Sequence, residues 1–383
     1  MSPTDQRQLA RYCVDWTARQ IHDPVWRLRY LRSMAPRVLP SNRWKPRILA
    51  GVLTLCTLGL VAAPLSLRRF ASAHAAVPAA SALPAPPIQR VELPATPSAD
   101  VWQVEKTAGF DTYSNGLRIE NQYAVSHRPR AYIAFSPDYP DRTTGEKRTQ
   151  PAGIVYHTTE SLQAPFESSQ NNRLKRVGES LIDYVRRRRC YNFLIDRFGR
   201  VFRIVDESDA ADHAGHSVWA DDRYFYVNLN DSFVGVSFEA QTGAGVTQTS
   251  VGAAQLRAAA MLTEMLRSRY KIPGGNCVTH AQVSVNPSNM QVGYHVDWAS
   301  SFPFEALGLP DNYATPSPAI ALFGFACDAS FQQRAGVHLA AGALCANRAL
   351  IQRAAAANLS LTAYRKMLNQ RYWKIVSAQS TTL

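Results

Sequence analysis

The sequence predicts an α/β domain that follows a single membrane-spanning helix. Short β-branched and aromatic runs such as Ile154-Val155-Tyr156 alternate with stretches of helical period such as 176–185 and 248–270, and the twenty residues Ile48–Leu67 carry no charge. At 383 residues the chain is long enough for one large domain or two small ones with a full core. Its formal charge of +13 raises a nucleic-acid reading, but residues 1–47 hold ten Arg/Lys against Asp5, Asp15 and Asp23, which is +7 of that total. The remainder is mildly basic, with Arg186–Arg189 as its one dense cluster. No zinc-finger spacing, aromatic–basic interleaving or recognition-helix pattern accompanies the charge, so no nucleic-acid partner is expected.

The N-terminal third orders itself by composition. The basic segment 1–47 precedes the apolar segment 48–67, and only Arg68 and Arg69 follow at once, so the excess of positive charge places the N-terminus in the cytoplasm and the rest outside. An uncleaved anchor in the bacterial inner membrane is expected, with the following domain in the periplasm. The competing reading is a cleaved signal and a secreted domain, because Ala71-Ser72-Ala73 and Ala73-His74-Ala75 resemble small-residue cleavage sites. Residues 68–100 are Ala/Pro/Ser-rich and read as an extended linker that cannot bury enough apolar surface to fold. Residues 101–150 alternate apolar runs with turn formers such as Ser114-Asn115-Gly116, and predict two or three strands accessory to the main domain.

Residues 151–310 carry the chemistry. Ile154, Val155 and Tyr156 read as a buried strand that His157 ends. Val177, Leu181, Ile182 and Val185 share a helical face. The stretch 190–208 reads as a β-hairpin around Asp196-Arg197-Phe198-Gly199, with Tyr191, Phe193 and Ile195 on one face of its first strand. A loop with His213 and His216 follows, then a strand over 231–241 with Ser237 and Glu239 on one face. Next come a helix that Ser250 can cap, a short strand ending near His280, and a loop with His295 and Asp297. His157, His280 and Asp297 all lie near strand ends, and two imidazoles with one carboxylate form a zinc-hydrolase set, in which the metal lowers the pKa of bound water to about 7 and polarises a carbonyl. The run GVSFE could suggest a serine nucleophile but lacks the second glycine of a nucleophile elbow.

The segments GIVYHTTES, YNFLIDRFGRVFRIV, DHAGHSVW, VGVSFEAQ, the Gln255 helix, and VTHAQ followed by DWASSFPF resemble, in this order, the zinc-dependent N-acetylmuramoyl-L-alanine amidases of the second type, a group that includes phage amidase lysozymes and peptidoglycan recognition proteins. The resemblance spans residues 150–308. It implies a mixed central β-sheet flanked by helices, with zinc at one sheet edge and a groove for a glycan-linked peptide. It further implies His157 and His280 as zinc ligands, and Asp297 as the third because Phe302-Pro303-Phe304 begins five positions later. His295 then stands where many relatives carry a lysine that stabilises the tetrahedral intermediate, a task open to a donating imidazole. Tyr191 falls on the tyrosine that polarises the scissile carbonyl, and His213 on the histidine of a loop lining the substrate groove. The chain departs from the family in reading His295-Val296-Asp297-Trp298-Ala299 where relatives read Lys-x-Asp-Pro-Gly, and in a seventeen-position gap from His280 to Asp297 that implies an inserted loop. A glutamate that some relatives use as base falls on Ser237, leaving Glu239 or Glu160 as substitutes.

Beyond the apolar segment are Cys190, Cys277, Cys327 and Cys345. Cys327 and Cys345 could clip the tail, while Cys190 and Cys277 could pair or remain buried thiols. Residues 311–383 read as a helical extension whose Leu361, Tyr364, Met367, Leu368 and Tyr372 form an apolar face packed on the domain. The expected function is hydrolysis of the amide between N-acetylmuramic acid and L-alanine, with zinc as cofactor and peptidoglycan or muropeptides as partner. The alternative is a peptidoglycan-binding module of the same fold that does not cut.

Overall fold

The computed structural model describes residues 100–242, 251–327 and 329–382. The basic segment, Ile48–Leu67 and all but the last residue of the linker lie outside them, as does Ser250. No helix among the described residues is long and apolar enough to cross a membrane.

In chain order, β1 (Gln103–Lys106), β2 (Phe110–Tyr113) and β3 (Arg118–Glu120) form an antiparallel meander, and β4 (Tyr132–Ala134) and β5 (Glu146–Arg148) a separate ribbon. β6 (Gly153–Thr158) leads to α1 (Asn171–Arg188) and the hairpin of β7 (Phe193–Ile195) and β8 (Val201–Arg203). β9 (Val218–Ala220) pairs with β10 (Phe225–Val227), and the one-turn α2 (Leu229–Ser232) runs into β11 (Phe233–Phe238). α3 (Ala253–Tyr270), β12 (Cys277–Thr279) and the one-turn α4 (His280–Val283) follow. Then come β13 (Val285–Asn286), β14 (Gln291–Val292), α5 (Pro318–Phe323), β15 (Ala326–Cys327), α6 (Ala329–Arg334), α7 (Val337–Ala356) and α8 (Leu361–Thr382).

The main sheet is mixed, with the order β1-β2-β3-β8-β7-β11-β6-β12. Its centre is parallel: β11 pairs with both β6 and β7, and β12 pairs with β6. β6 shows no alternation because both of its faces are covered, by α3 on one and by the β9–β10 ribbon on the other, and all six of its residues are buried. Ile154 and Tyr156 face Leu262, Met265 and Leu266 of α3, and the Tyr156 hydroxyl lies 2.7 Å from Thr263 Oγ1. On the opposite face Val155 meets Trp219, Tyr226 and Val278, while Leu181, Ile182 and Val185 of α1 pack on Leu194 and Phe202. α1 stops at Arg189, which is left-handed, and Arg186–Arg188 in its last turn complement the negative end of the helix dipole. α3 starts at Ala253 with Gly252 in the cap position, where the Gln255 side chain accepts from the Gly252 N–H at 3.1 Å. The same side chain donates to Ile195 O and Glu239 O, both at 3.3 Å, and so ties the helix to the ends of β7 and β11.

Four sequence expectations are corrected here. The strands of 101–150 are no accessory: β3 pairs in parallel with β8, so β1–β3 extend the main sheet to its edge. No disulfide joins Cys327 to Cys345, and of the two readings open for Cys190 and Cys277 the unpaired one holds, with Cys277 buried. Met367 alone of the predicted face of α8 points outward, at 42% exposure, while Leu368 and Tyr372 are buried and Leu361 and Tyr364 pack against the core. Tyr191 precedes the strand it was expected to begin, and its φ of 63° takes it out of the extended region. The tail does pack on the domain: Phe323 meets Phe225 edge-on at 5.6 Å and Tyr372 at 5.5 Å, and Gln379 Nε2 donates to Val227 O at 3.2 Å.

Arg130 is the largest buried polar group that the sequence did not flag. Its guanidinium is 2% exposed and donates to the carbonyls of Glu207, Asp209, Asp231 and Phe233, each at 2.9 Å. Burial lowers its pKa to about 10, so it remains charged at neutral pH. It holds the loop before His213 against the start of β11. Arg130→Met removes a donor from four carbonyls, of which only Asp209 O and Phe233 O keep a second one among the described residues, from Asn192 and His213, and is expected to cost about 3 kcal/mol or more in a denaturant titration.

Candidate metal centre

Three backbone elements bring the predicted ligands together. His157 lies on β6, in register with Ser237 of β11; His280 opens α4 directly after β12; Asp297 lies in the loop that follows β14. One donor atom from each of His157, His280 and Asp297 lies within 4.8 Å of the others. Asp297 bridges the pair, with Oδ2 3.2 Å from His157 Nδ1 and Oδ1 2.9 Å from His280 Nδ1. The inserted loop implied by the long gap is the β13–β14 hairpin, which β15 of the tail joins as a third strand.

The electrostatics prepare these groups as ligands. Burial lowers the His157 pKa to about 4, helped by the neighbouring His280 charge and opposed by Asp297, so its imidazole is neutral at physiological pH. Burial by itself raises the Asp297 carboxyl, but the charge of His280 and the hydrogen bonds with both histidines outweigh it and hold the group well below the usual range. A neutral imidazole at His157 and an ionised carboxylate at Asp297 are donor forms that zinc takes. His280 Nε2 is also buried without a hydrogen-bond partner among the described residues, an orphan of the kind a bound cation relieves. The residues present therefore fit a zinc ion.

His213, half-exposed, sits beside His157. Both its ring nitrogens meet protein atoms: Nε2 lies 3.2 Å from Phe233 O and Nδ1 lies 3.1 Å from His157 Nε2. With His213 Nε2 donating to the carbonyl, its Nδ1 can accept from His157 Nε2; in the metal-bound form that tautomer would strip the proton from His157 Nδ1, the nitrogen that meets Asp297 here, and leave it for the metal. Gly235 makes room for this ring, since a Cβ there would lie 2.5 Å from His213 Cγ. The loop is held by Asn230, whose Oδ1 accepts the backbone N–H groups of His213, Ala214 and Gly215 at 2.6–3.0 Å. His216 is exposed.

Tyr191 and His295 flank the cluster. The Tyr191 ring centre lies 5.1 Å from that of His157, and burial pushes its phenol well above the usual range, so it stays a donor. Its left-handed backbone is fixed by the next residue: Asn192 N donates to Gly235 O at 2.9 Å and Asn192 Oδ1 accepts from Gly235 N at 3.0 Å. The His295 ring is exposed and stacks on His280 at 4.6 Å. Glu239 turns elsewhere: its Oε2 accepts from Arg197 N at 3.2 Å in the β7–β8 turn, and burial raises its carboxyl. Glu160, the other candidate base, accepts from Thr158 Oγ1 at 2.6 Å and Thr242 N at 2.7 Å. Asn192, Asn230 and Arg130 escaped the sequence reading. The one signal they offered was a polar residue next to an apolar strand run.

Residues 147–292 match the sequence family described as N-acetylmuramoyl-L-alanine amidase, a match that ends before Asp297. No protein with a curated description matches the chain. Among solved structures, the chain is similar to the Escherichia coli amidase AmiD in complex with an anhydro-muropeptide substrate, at 23% identity over 35% of this chain and 49% of that one, with a TM-score of 0.28. It is similar to AmpDh3 of Pseudomonas aeruginosa at 22% identity over 41% and 58%, TM-score 0.31, and to Drosophila peptidoglycan recognition protein LB at 14% over 43% and 86%, TM-score 0.26. The chain thus spans about half the length of the first two.

His213→Ala is expected to weaken zinc binding about 10- to 100-fold in a chelator competition, because the partner that sets the His157 tautomer is lost. Gly235→Ala, which crowds the same ring, is expected to act in the same direction.

Proposed function

Starting from residues 147–292 as a member of the N-acetylmuramoyl-L-alanine amidase family, we propose that the chain is a zinc-dependent amidase cleaving the amide between N-acetylmuramic acid and L-alanine of peptidoglycan. The observation that carries this reading is the convergence of His157, His280 and Asp297, with His157 held neutral and Asp297 ionised, beside a half-buried protonated tyrosine. Zinc held by these three residues would supply Lewis acidity and an activated water. The chain's own groups supply the rest. Tyr191 donates its phenolic proton to the oxygen on which charge develops as the amide carbon becomes tetrahedral, without giving that proton up. The exposed His295 imidazole, stacked on His280, is the second donor at the outer side of the site.

The domain is further proposed to lie in the periplasm behind an anchor at Ile48–Leu67, a reading supported by the ten basic residues before that segment. A second reading, recognition of peptidoglycan without cleavage, is favoured by one feature: Glu239 and Glu160, the two candidate bases, are both engaged in loop hydrogen bonds.

Zinc-loaded protein incubated with peptidoglycan is expected to release new L-alanine amino termini, and His157→Ala to abolish the release. Stoichiometric zinc and muropeptide binding with no turnover would instead establish the recognition reading. Tyr191→Phe is expected to lower kcat about 100-fold or more with KM nearly unchanged, as for the loss of one oxyanion donor.

A further inference from the structure

The loop that carries Asp297 is conformationally costly. Within it Trp298 has a φ of 56° and Ser301 a φ of 60°, left-handed values that non-glycine residues hold only where their surroundings fix them. Trp298 is fully buried, its ring edge-on to Phe238 at 5.7 Å and Phe302 at 5.1 Å. Two hydroxyls from outside the loop hold the turn: Thr242 Oγ1 accepts from Trp298 N at 3.2 Å, and Tyr313 OH closes it by donating to Trp298 O at 2.7 Å and accepting from Phe302 N at 3.2 Å. Tyr313 is itself 5% exposed and packs edge-on against Phe304 at 5.1 Å.

The adjacent residue holds the other ligand. Asn312 Nδ2 donates to Cys277 O of β12 at 3.0 Å, and Gln282 Nε2 of α4 donates to Asn312 O at 3.1 Å and Oδ1 at 3.2 Å. His280 stands between Cys277 and Gln282. The backbone link from one side to the other is Ala281 N, which donates to Asp297 O at 3.2 Å. Two consecutive residues therefore grip the segments bearing two of the three ligands. Further along the tail, Gly336 N donates to Ala299 O at 2.9 Å, and Gly293 packs so closely on Phe331 that a Cβ would lie 2.0 Å from the ring.

We infer that Asn312 and Tyr313 are positioning residues of the metal centre, and that together they act as a clamp fixing the distance between His280 and Asp297. This inference rests on the metal reading of those ligands and makes the start of the C-terminal extension part of the site. Neither residue touches the metal or the substrate. They act through the backbone of the loops on which the ligands sit.

Zinc affinity of the full-length protein, measured by competition with a chromogenic chelator, tests this. Tyr313→Phe is expected to raise the zinc dissociation constant about 10-fold or more, with the melting temperature of the metal-free protein lowered by only a few degrees. Asn312→Ala is expected to act likewise. Tyr372→Phe, which removes a tail hydroxyl far along α8, leaves the affinity unchanged. Wild-type affinity in both Tyr313→Phe and Asn312→Ala overturns the clamp while leaving the metal centre standing. Failure of the wild-type protein to bind zinc overturns the metal reading, and the clamp with it.

Discussion

A strand buried on both faces along its whole length can place a polar side chain only where a partner awaits it, and β6 does so at His157. Each further component of the site is set by what pairs with that strand. β11 lies beside it in parallel and brings Ser237 level with His157, and it makes room at Gly235 for the ring of His213. β12 flanks it on the other edge and delivers His280 where the strand turns into a helix. Parallel pairing matters here, because it sends three strands out of the sheet at the same end and lets residues far apart in sequence meet there.

The side chains that support the ligands are mostly neutral or singly charged groups saturating backbone. Asn192 and Asn230 fix the approaches of Tyr191 and His213, and Arg130 fixes the loop between them by satisfying four carbonyls at once. Such groups are costly to bury unpaired and rigid once paired, which suits a site where ligand geometry has to be maintained before any ion arrives. The short β7–β8 hairpin has its own closure: Asp196 accepts from Phe198 N and Arg200 N, and Glu239 from Arg197 N. That closure draws Glu239 away from the cluster.

Much of the candidate site was legible in the sequence because its elements follow strong local rules. An uncharged β-branched run ending in histidine, a turn of the Asp-Arg-Phe-Gly kind between apolar runs, and an amphipathic stretch after Gly252 each announce themselves, and the central sheet and both flanking helices came from them. What was not legible depends on long-range pairing. The edge strands near Ile119 look independent until β8 is known to lie beside them. Tyr191 belongs by pattern to the strand of Phe193, yet a left-handed residue at a strand entry has no periodic signature. Glu239 shares the alternation of Ser237, but the strand ends at Phe238 and the side chain follows the hairpin. Cysteine pairing depends on separations in space that an even count does not constrain.

The principal core joins Tyr113 and Ile119 near its beginning to Tyr372 and Ile375 on the last helix, with the residues of the site between. A core recruited from both ends of a chain cannot close until α8 has emerged, so the early strands must wait, with apolar faces uncovered, through the synthesis or export of some two hundred and fifty residues between Ile119 and Tyr372. During that interval the central strands can already pair, because β6, β7, β11 and β12 all precede the tail, while Phe323 and Phe325 still lack the Tyr372 ring that covers them. The sheet is thus complete before its core is.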